Sequence, residues 1–267
     1  MPTLSLITIY RRRPQHLATQ LAWWQRCLVQ SRPDKTAYDL PWEWIVVEAD
    51  ASPTPGLKDR LEQHQTRYFF LANEGTLHKT KALNLGLHHA QGNYLTPLDV
   101  DLIPLGNTLA DHLHLATLSP QILVTGYRLM AATVTVDLDQ ISTALETATT
   151  APEDQPSALR KHLIQVEKFG VLPYFQRQRL LDIQGWDESY VGWGAEDQDL
   201  IERYLADGRY LLRSPQLVYL HLHHDADPHW REDDLIAANR RHYYSRPWHS
   251  SAPDNKTATD SSPLGND

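Results

Sequence analysis

Four short β-prone runs alternate with helical stretches in the first hundred residues, and this rhythm confines the chain to folds built around a mostly parallel sheet. Ser5 to Ile9 is the first run, after which Leu17, Leu21, Trp24 and Leu28 fall on one helical face. The second, Trp44 to Val47, ends in Glu48, Asp50 and a Ser-Pro-Thr-Pro-Gly turn before a short helix over Leu57 to His64. Tyr68 to Leu71 is the third, followed by a helix over Thr80 to Ala90 with Leu83, Leu87 and Ala90 aligned. Tyr94 to Leu98 is the fourth and runs into Asp99. Sheets of this kind take ligands at the C-terminal ends of their strands.

Beyond Asp101 the rhythm loosens. A helix is expected through Leu109 and Leu113, a strand near Ile122 to Thr125, and then an acidic, Thr- and Ala-rich stretch from Asp137 to Pro156 that reads as mobile. Gln176 to Ile183 and Asp197 to Ala206 read as helices, the second stopped by Gly208, and Gln216 to Leu220 as a strand. From Pro247 onward almost nothing apolar remains, so 249–267 is expected to be a disordered tail on a domain spanning 1–248.

Charge and cysteine content narrow the function. With 25 Lys and Arg against 33 Asp and Glu, a net charge of -8 argues against nucleic acid as a partner, and anionic ligands must be held by local features. The single cysteine, Cys27, can form no internal disulfide and sits in a helical pattern as a core residue, which fits a reducing compartment. The apolar run Leu4 to Tyr10 precedes Arg11, Arg12 and Arg13, the reverse of a secretory signal, and is too short to span a bilayer. A cytoplasmic protein without a transmembrane segment is expected, and peripheral attachment to a membrane stays open.

Three clusters carry chemistry. Asp99-Val100-Asp101 closes an apolar strand, and in an extended chain carboxylates two residues apart project to one side, where they can face a cation or a ribose. A divalent cation already bound to a diphosphate needs only one or two protein carboxylates. The second cluster is Gly185-Trp186-Asp187-Glu188 followed by Gly192-Trp193-Gly194-Ala195-Glu196-Asp197-Gln198-Asp199. Acidic residues at a helix start are favoured by the macrodipole, which accounts for Asp199, but not for a tryptophan between two glycines, an arrangement that offers a flat apolar face to a sugar ring. The third, His221-Leu222-His223-His224-Asp225, follows a strand and adds imidazoles; a mixed carboxylate and imidazole set suits Mn²⁺.

Together these segments resemble the GT-A glycosyltransferases, specifically the family 2 enzymes and the β-1,4-galactosyltransferases. The resemblance covers about residues 4 to 225. It rests first on Asp99 to Pro104 and on Gly192 to Asp197, with Ile7 to Arg13 resembling the opening strand and loop and Lys79 to Gly86 the helix before the Asp-x-Asp motif. It implies a GT-A fold, an α/β Rossmann-like mixed sheet flanked by helices, with a nucleotide-binding half over 1–104 and an acceptor-binding half over 105–248. It implies an inverting transfer from a UDP-sugar to a glycan or other hydroxyl acceptor with Mn²⁺ or Mg²⁺. Asp101 would then hold the metal with His224 or His221, and Asp99 would touch the ribose or the metal's water shell. Asp197 would be the general base and Glu196 its hydrogen-bonding neighbour. Trp193 would line the sugar pocket, Glu48 or Asp50 would meet the uracil, and Tyr10, Arg11, Arg13, Lys79, Lys81 and Asn84 would complete the nucleotide-sugar site.

Departures from the family pattern are Arg12 for a frequent Asn, Ala195 for a frequent Gly, Gln198 for a frequent acid, and Pro97 inside the fourth strand. They bear on donor and acceptor identity and remove no proposed catalytic group. Two other readings use the same residues: a GT-A protein that binds sugar nucleotide without turnover, and a metal-dependent phosphohydrolase, which has no need of the Gly-Trp-Gly segment.

Overall fold

The computed structural model describes residues 3–30, 42–155, 168, 172–225 and 232–247. Strand β1 (Leu4–Tyr10) lies inside a five-stranded sheet, parallel to β2 (Trp42–Asp50) on one side and to β4 (Tyr94–Pro97) on the other. Strand β3 (Thr66–Ala72) continues the parallel set beside β2, and the short β8 (Phe175–Gln176) closes the far edge antiparallel to β4. Every residue of β1 is buried, as expected of a parallel strand covered on both faces.

That coverage divides the strand residues between two cores. Leu4, Leu6 and Tyr10 of β1 and Trp44 and Val46 of β2 pack with Leu17, Leu21 and Trp24 of helix α1 (Pro14–Gln30) and with Leu57 and Leu61 of α2 (Leu57–Glu62). The alternate residues Ile7, Ile9, Ile45 and Val47 pack with Ala82, Leu83 and Leu87 of α3 (Lys79–His89). Gly86 lets α3 approach closely, since a Cβ there would stand 2.5 Å from Ile7 Cγ2.

A second sheet orders β5 (Leu102–Pro104), β9 (Tyr210–His221), β6 (Ile122–Met130) and β7 (Thr149–Thr150). Helix α4 (Thr108–Leu118) covers it. Both long strands exceed the expected lengths, because they pair with each other from Ile122 and Tyr210 to Met130 and His221, a non-local register that overrides their mixed composition. The stretch over 137–155 is likewise more structured than its composition suggests. It forms α5 (Ile141–Glu146), β7 on the edge of β6, and a turn of 3-10 helix over Pro152–Asp154. Asp154 is buried there, paired with Arg213 and accepting from the Arg128 backbone N–H at 2.8 Å. The chain continues through α6 (Arg177–Asp182), α7 (Glu196–Leu205) and α8 (Asp233–Tyr244). The expected tail over 249–267 lies outside the described residues. No helix among the described residues is long and apolar enough to cross a membrane. Cys27 is partly buried and burial pushes its thiol up to about 12, so it stays protonated and unreactive.

His112 of α4 is fully buried beside Leu109, Leu113 and Val124 of the first core, stacked on Tyr174 with ring centroids 3.8 Å apart. Its Nε2 lies 2.9 Å from the Val124 carbonyl, which only accepts, so Nε2 carries the proton and Nδ1 accepts from the Tyr219 hydroxyl at 2.7 Å. Burial lowers its pKa from 6.5 to about 4, against the opposing bond to Val124. The folded value lies below the unfolded one, so this group's contribution is complete above about pH 6.5 and is lost as pH falls toward 4, by roughly 3 kcal/mol. Urea unfolding from pH 7 to 4 should show that loss, and His112→Gln should flatten the acid limb. Parallel pH profiles for the two proteins would rule the histidine out as its source.

Candidate functional site

The Asp99-Val100-Asp101 segment follows the end of β4, whose Pro97 pairs with Ile7 of β1. It is not extended: the Leu102 N–H donates to the Asp99 carbonyl at 2.9 Å, closing a turn. The expectation that the two carboxylates share a side because they continue a strand is therefore corrected, since the turn and not the strand pleat sets their directions. Asp99 and Asp101 nevertheless interact, and Asp99 is raised by burial first, with Lys79 pulling it down and Asp101 and Asp197 pushing it up.

Asp101 is buried among basic side chains. Its Oδ2 lies 2.5 Å from Arg13 Nη1 and 3.3 Å from His224 Nε2, and its Oδ1 lies 3.6 Å from His221 Nε2. That Oδ1 atom has no hydrogen-bond partner among the described residues, nor does His221 Nδ1. One ligand atom from each of Asp101, His221 and His224 falls within 4.8 Å of the others, a spacing that one ion can bridge. His221 is lowered by burial, against Asp101, and a neutral imidazole is the form that ligates. His224 Nδ1 lies 3.0 Å from the Asp225 carbonyl and 3.5 Å from Arg13 Nη2, with Nε2 on the side of Asp101. The two segments are also tied by backbone, the Leu222 N–H donating to the Asp101 carbonyl at 2.8 Å. His16 Nε2 donates to the His223 carbonyl at 3.0 Å.

The Gly-Trp-Gly segment leads into a second wall of charged side chains, at the start of α7. Gly194 has φ 119 and Ala195 φ 67, so the chain enters α7 through two left-handed residues. The second costs an alanine about 1–2 kcal/mol, which explains why glycine is frequent there. Glu196 is buried and its Oε2 accepts the Gly194 N–H at 2.8 Å, whereas the Asp197 side chain is 52% exposed. Lys79, at the start of α3, reaches both: Nζ lies 3.0 Å from Glu196 Oε1 and 3.0 Å from Asp197 Oδ2. Burial alone would lower this lysine, but Asp197, Glu196 and Asp99 hold it well above its ordinary value. Glu196 is raised by burial, opposed by Lys79. Trp193 is about half exposed. Asp199 is buried between Arg203 Nε at 2.8 Å and Arg246 Nε at 2.9 Å, which is a structural role.

In the nucleotide half, Asp50 is held by Arg12 through two bonds of 2.7 Å. Burial raises Asp50, and Arg12 outweighs it, so its carboxyl stays below the usual range. Glu48 is buried and accepts from the Thr54 backbone at 3.0 Å and from the Tyr68 and Thr54 hydroxyls. Buried Tyr10 sits beside Glu48 and is raised by burial. Arg11 is buried 3.7 Å from Asp50, and its Nε and Nη1 have no hydrogen-bond partner among the described residues. Asn84 is spent on the second wall, donating to the Trp186 carbonyl at 2.8 Å and to Glu188 Oε1 at 3.0 Å. Lys81 is exposed on α3. Thus Arg13, Asp101, His221 and His224 form one group and Lys79, Glu196 and Asp197 a second that reaches Asp99 electrostatically, while Glu48, Asp50, Arg11 and Tyr10 gather at the ends of β1 and β2.

Sequence reading missed α8. Its Asn239 Nδ2 donates to the Val191 carbonyl at 2.9 Å and the Trp193 carbonyl at 3.3 Å, and His242 Nε2 lies 2.9 Å from Asp187 Oδ2. Acidic Asp233 and Asp234 at its start, Ile236, Asn239 and Tyr243 on one face, and Arg241 and His242 at its end were the available signals.

A family model described as Glycosyltransferase like family 2 matches residues 22–226. No curated protein matches the sequence significantly. Among solved structures, that of GalNAc-T7 with UDP, GalNAc and Mn²⁺ aligns with a TM-score of 0.58 at 15% identity, over 95% of this chain and 52% of that one. S. aureus TarS aligns with a TM-score of 0.56 at 16% identity, over 92% of this chain and 44% of that one. At such identities the likeness is one of fold, and the chain spans about half the length of these proteins.

Proposed function

Starting from the fact that the chain belongs to glycosyltransferase-like family 2 and has the GT-A fold, we propose that it moves a sugar, with inversion, from a nucleotide-diphosphate sugar to a hydroxyl acceptor. A UDP-sugar is the first choice of donor and a glycan the first choice of acceptor. The observation that carries this reading is the Lys79 bridge. Its ammonium holds the exposed carboxylate of Asp197 and the buried one of Glu196 and interacts electrostatically with Asp99, which ties the acidic start of α7 to the Asp99–Leu102 turn.

Asp101, His221 and His224 would hold a divalent ion, Mn²⁺ by ligand type, with Asp99 alongside. The ion would supply positive charge to offset that of the departing diphosphate. The orphaned Oδ1 of Asp101 and the neutral His221 fit such a ligand set. Arg13 now occupies Asp101 Oδ2 and is long enough to turn toward a phosphate instead. Arg11, with unpartnered buried donors beside Asp50, would serve the nucleotide's oxygen acceptors, with Tyr10, Glu48 and Asp50 around the base.

On the other wall Asp197 would take the acceptor proton as the acceptor oxygen bonds to the anomeric carbon. The bond from that carbon to the diphosphate oxygen breaks on the opposite face, and its electron pair leaves with the diphosphate. Trp193 offers its indole to the sugar rings. Residues 1–104 would thus carry the nucleotide and 105–248 the acceptor, and a cytoplasmic location would fit a chain whose one cysteine can form no internal disulfide.

With Mn²⁺ present, one UDP-sugar from a panel should raise the melting temperature, and UDP should be released only when a hydroxyl acceptor is added. UDP release at the same rate without acceptor would mark a phosphohydrolase. Stabilisation with no turnover against a broad acceptor panel would mark a binding protein.

A further inference from the structure

Helix α1 turns Leu17, Leu21 and Trp24 into the first core, and on the same buried surface stands a polar residue, Gln20, with no solvent exposure. A buried primary amide is unfavourable unless its hydrogen bonds are made. Gln20 makes them on the turn that carries the metal-site carboxylates. Its Nε2 donates to the Asp99 carbonyl at 2.9 Å and to the Leu102 carbonyl at 3.1 Å, the two ends of that turn. Both targets only accept, so the amide orientation is fixed by chemistry.

The neighbouring carbonyls are fixed in the same way. Trp44 Nε1 donates to Thr8 Oγ1 at 2.9 Å, and Thr8 Oγ1 donates to the Leu98 carbonyl at 2.7 Å. The Leu222 N–H holds the Asp101 carbonyl from β9. The backbone carbonyls of residues 98, 99, 101 and 102 are therefore all gripped by groups from other elements, and Gln20 grips two of them.

We propose that Gln20 is a positioning residue for the metal site, its amide setting the Asp99–Leu102 turn so that Asp99 and Asp101 already stand in their liganding directions before an ion arrives. This rests on the reading of Asp101 as a metal ligand. Supporting groups behind metal ligands commonly contribute 10–100-fold to metal affinity, and Gln20 acts on the backbone that aims the carboxylates.

The test is the Mn²⁺ dissociation constant of the full chain with UDP present, read from the electron paramagnetic resonance of free Mn²⁺. Gln20→Met, close in shape but without a donor, should weaken Mn²⁺ binding roughly 10-fold or more. Gln20→Asn, one methylene too short, carries the same expectation and serves if the Met variant does not fold. Leu61→Ala, in the same core but away from the turn, should lower the melting temperature and leave the Mn²⁺ constant unchanged. Wild-type Mn²⁺ affinity in the Gln20 variants, or an equal loss in Leu61→Ala, would overturn the proposal while leaving the metal assignment standing. A wild-type protein that takes up no Mn²⁺ with UDP would overturn both.

Discussion

Asp197→Asn is expected to lower transfer to the acceptor by roughly 10²-fold or more while donor affinity stays within a few-fold, because the lost interaction belongs to the transition state. Of the two carboxylates at the start of α7, Asp197 is the one an acceptor can reach, with about half its side chain exposed. Glu196 is buried and committed to the Gly194 N–H and to Lys79. Asparagine keeps the size of the side chain but cannot take a proton, so the substitution separates chemistry from folding. Glu196→Gln should act differently, loosening the grip on Lys79 and Gly194 and reducing acceptor affinity. The measurement is the initial transfer rate against acceptor concentration for the wild type and both variants. Near wild-type turnover in Asp197→Asn would move the base to Glu196, and near wild-type turnover in both would remove this wall from the catalytic account.

The elements that sequence reading found most readily are those whose signals are local. Strands β1 and β2 are buried on both faces and so read as apolar runs, and α1 and α3 each present a repeating apolar stripe. Strands β6 and β9 read short in the sequence because Tyr127 to Met130 owe their strand conformation to pairing with Val218 to His221, and Tyr210 to Arg213 to pairing with Ile122 to Thr125, not to their own composition. Residue types and motif order pointed to Asp101, His221, His224, Glu196 and Asp197, and the fold brings these into two neighbouring groups. What no local pattern discloses is which cation faces which carboxylate. Three adjacent arginines diverge, with Arg11 and Arg12 to Asp50 and Arg13 to Asp101, and Lys79 pairs with the acidic wall. Those pairings depend on side-chain directions after a tight loop, where Arg12 itself has φ 52.

Asp101→Ala is expected to abolish the metal dependence of UDP binding. In a chain of net charge -8, UDP would have no long-range attraction to draw on and would depend on cations gathered at the site. Asp101 is the buried carboxylate on which Arg13, His221 and His224 converge, so its removal deletes the anionic ligand and leaves two imidazoles beside a guanidinium whose charge repels a divalent ion. For the wild type, UDP at 100 times its dissociation constant adds about 2.7 kcal/mol of stability, which raises the melting temperature by about 5 °C or more. That rise should appear with Mn²⁺ and largely vanish with chelator, while in Asp101→Ala the two conditions should give the same small shift. Titration calorimetry should show the matching loss, of at least 10-fold in UDP affinity with Mn²⁺ present, since a ligand's removal costs no less than that of its supporting groups. A wild type that binds UDP equally with Mn²⁺ and with chelator would show that Asp101 serves Arg13 alone, and that the charge on the departing diphosphate is met by arginine and lysine side chains without an ion.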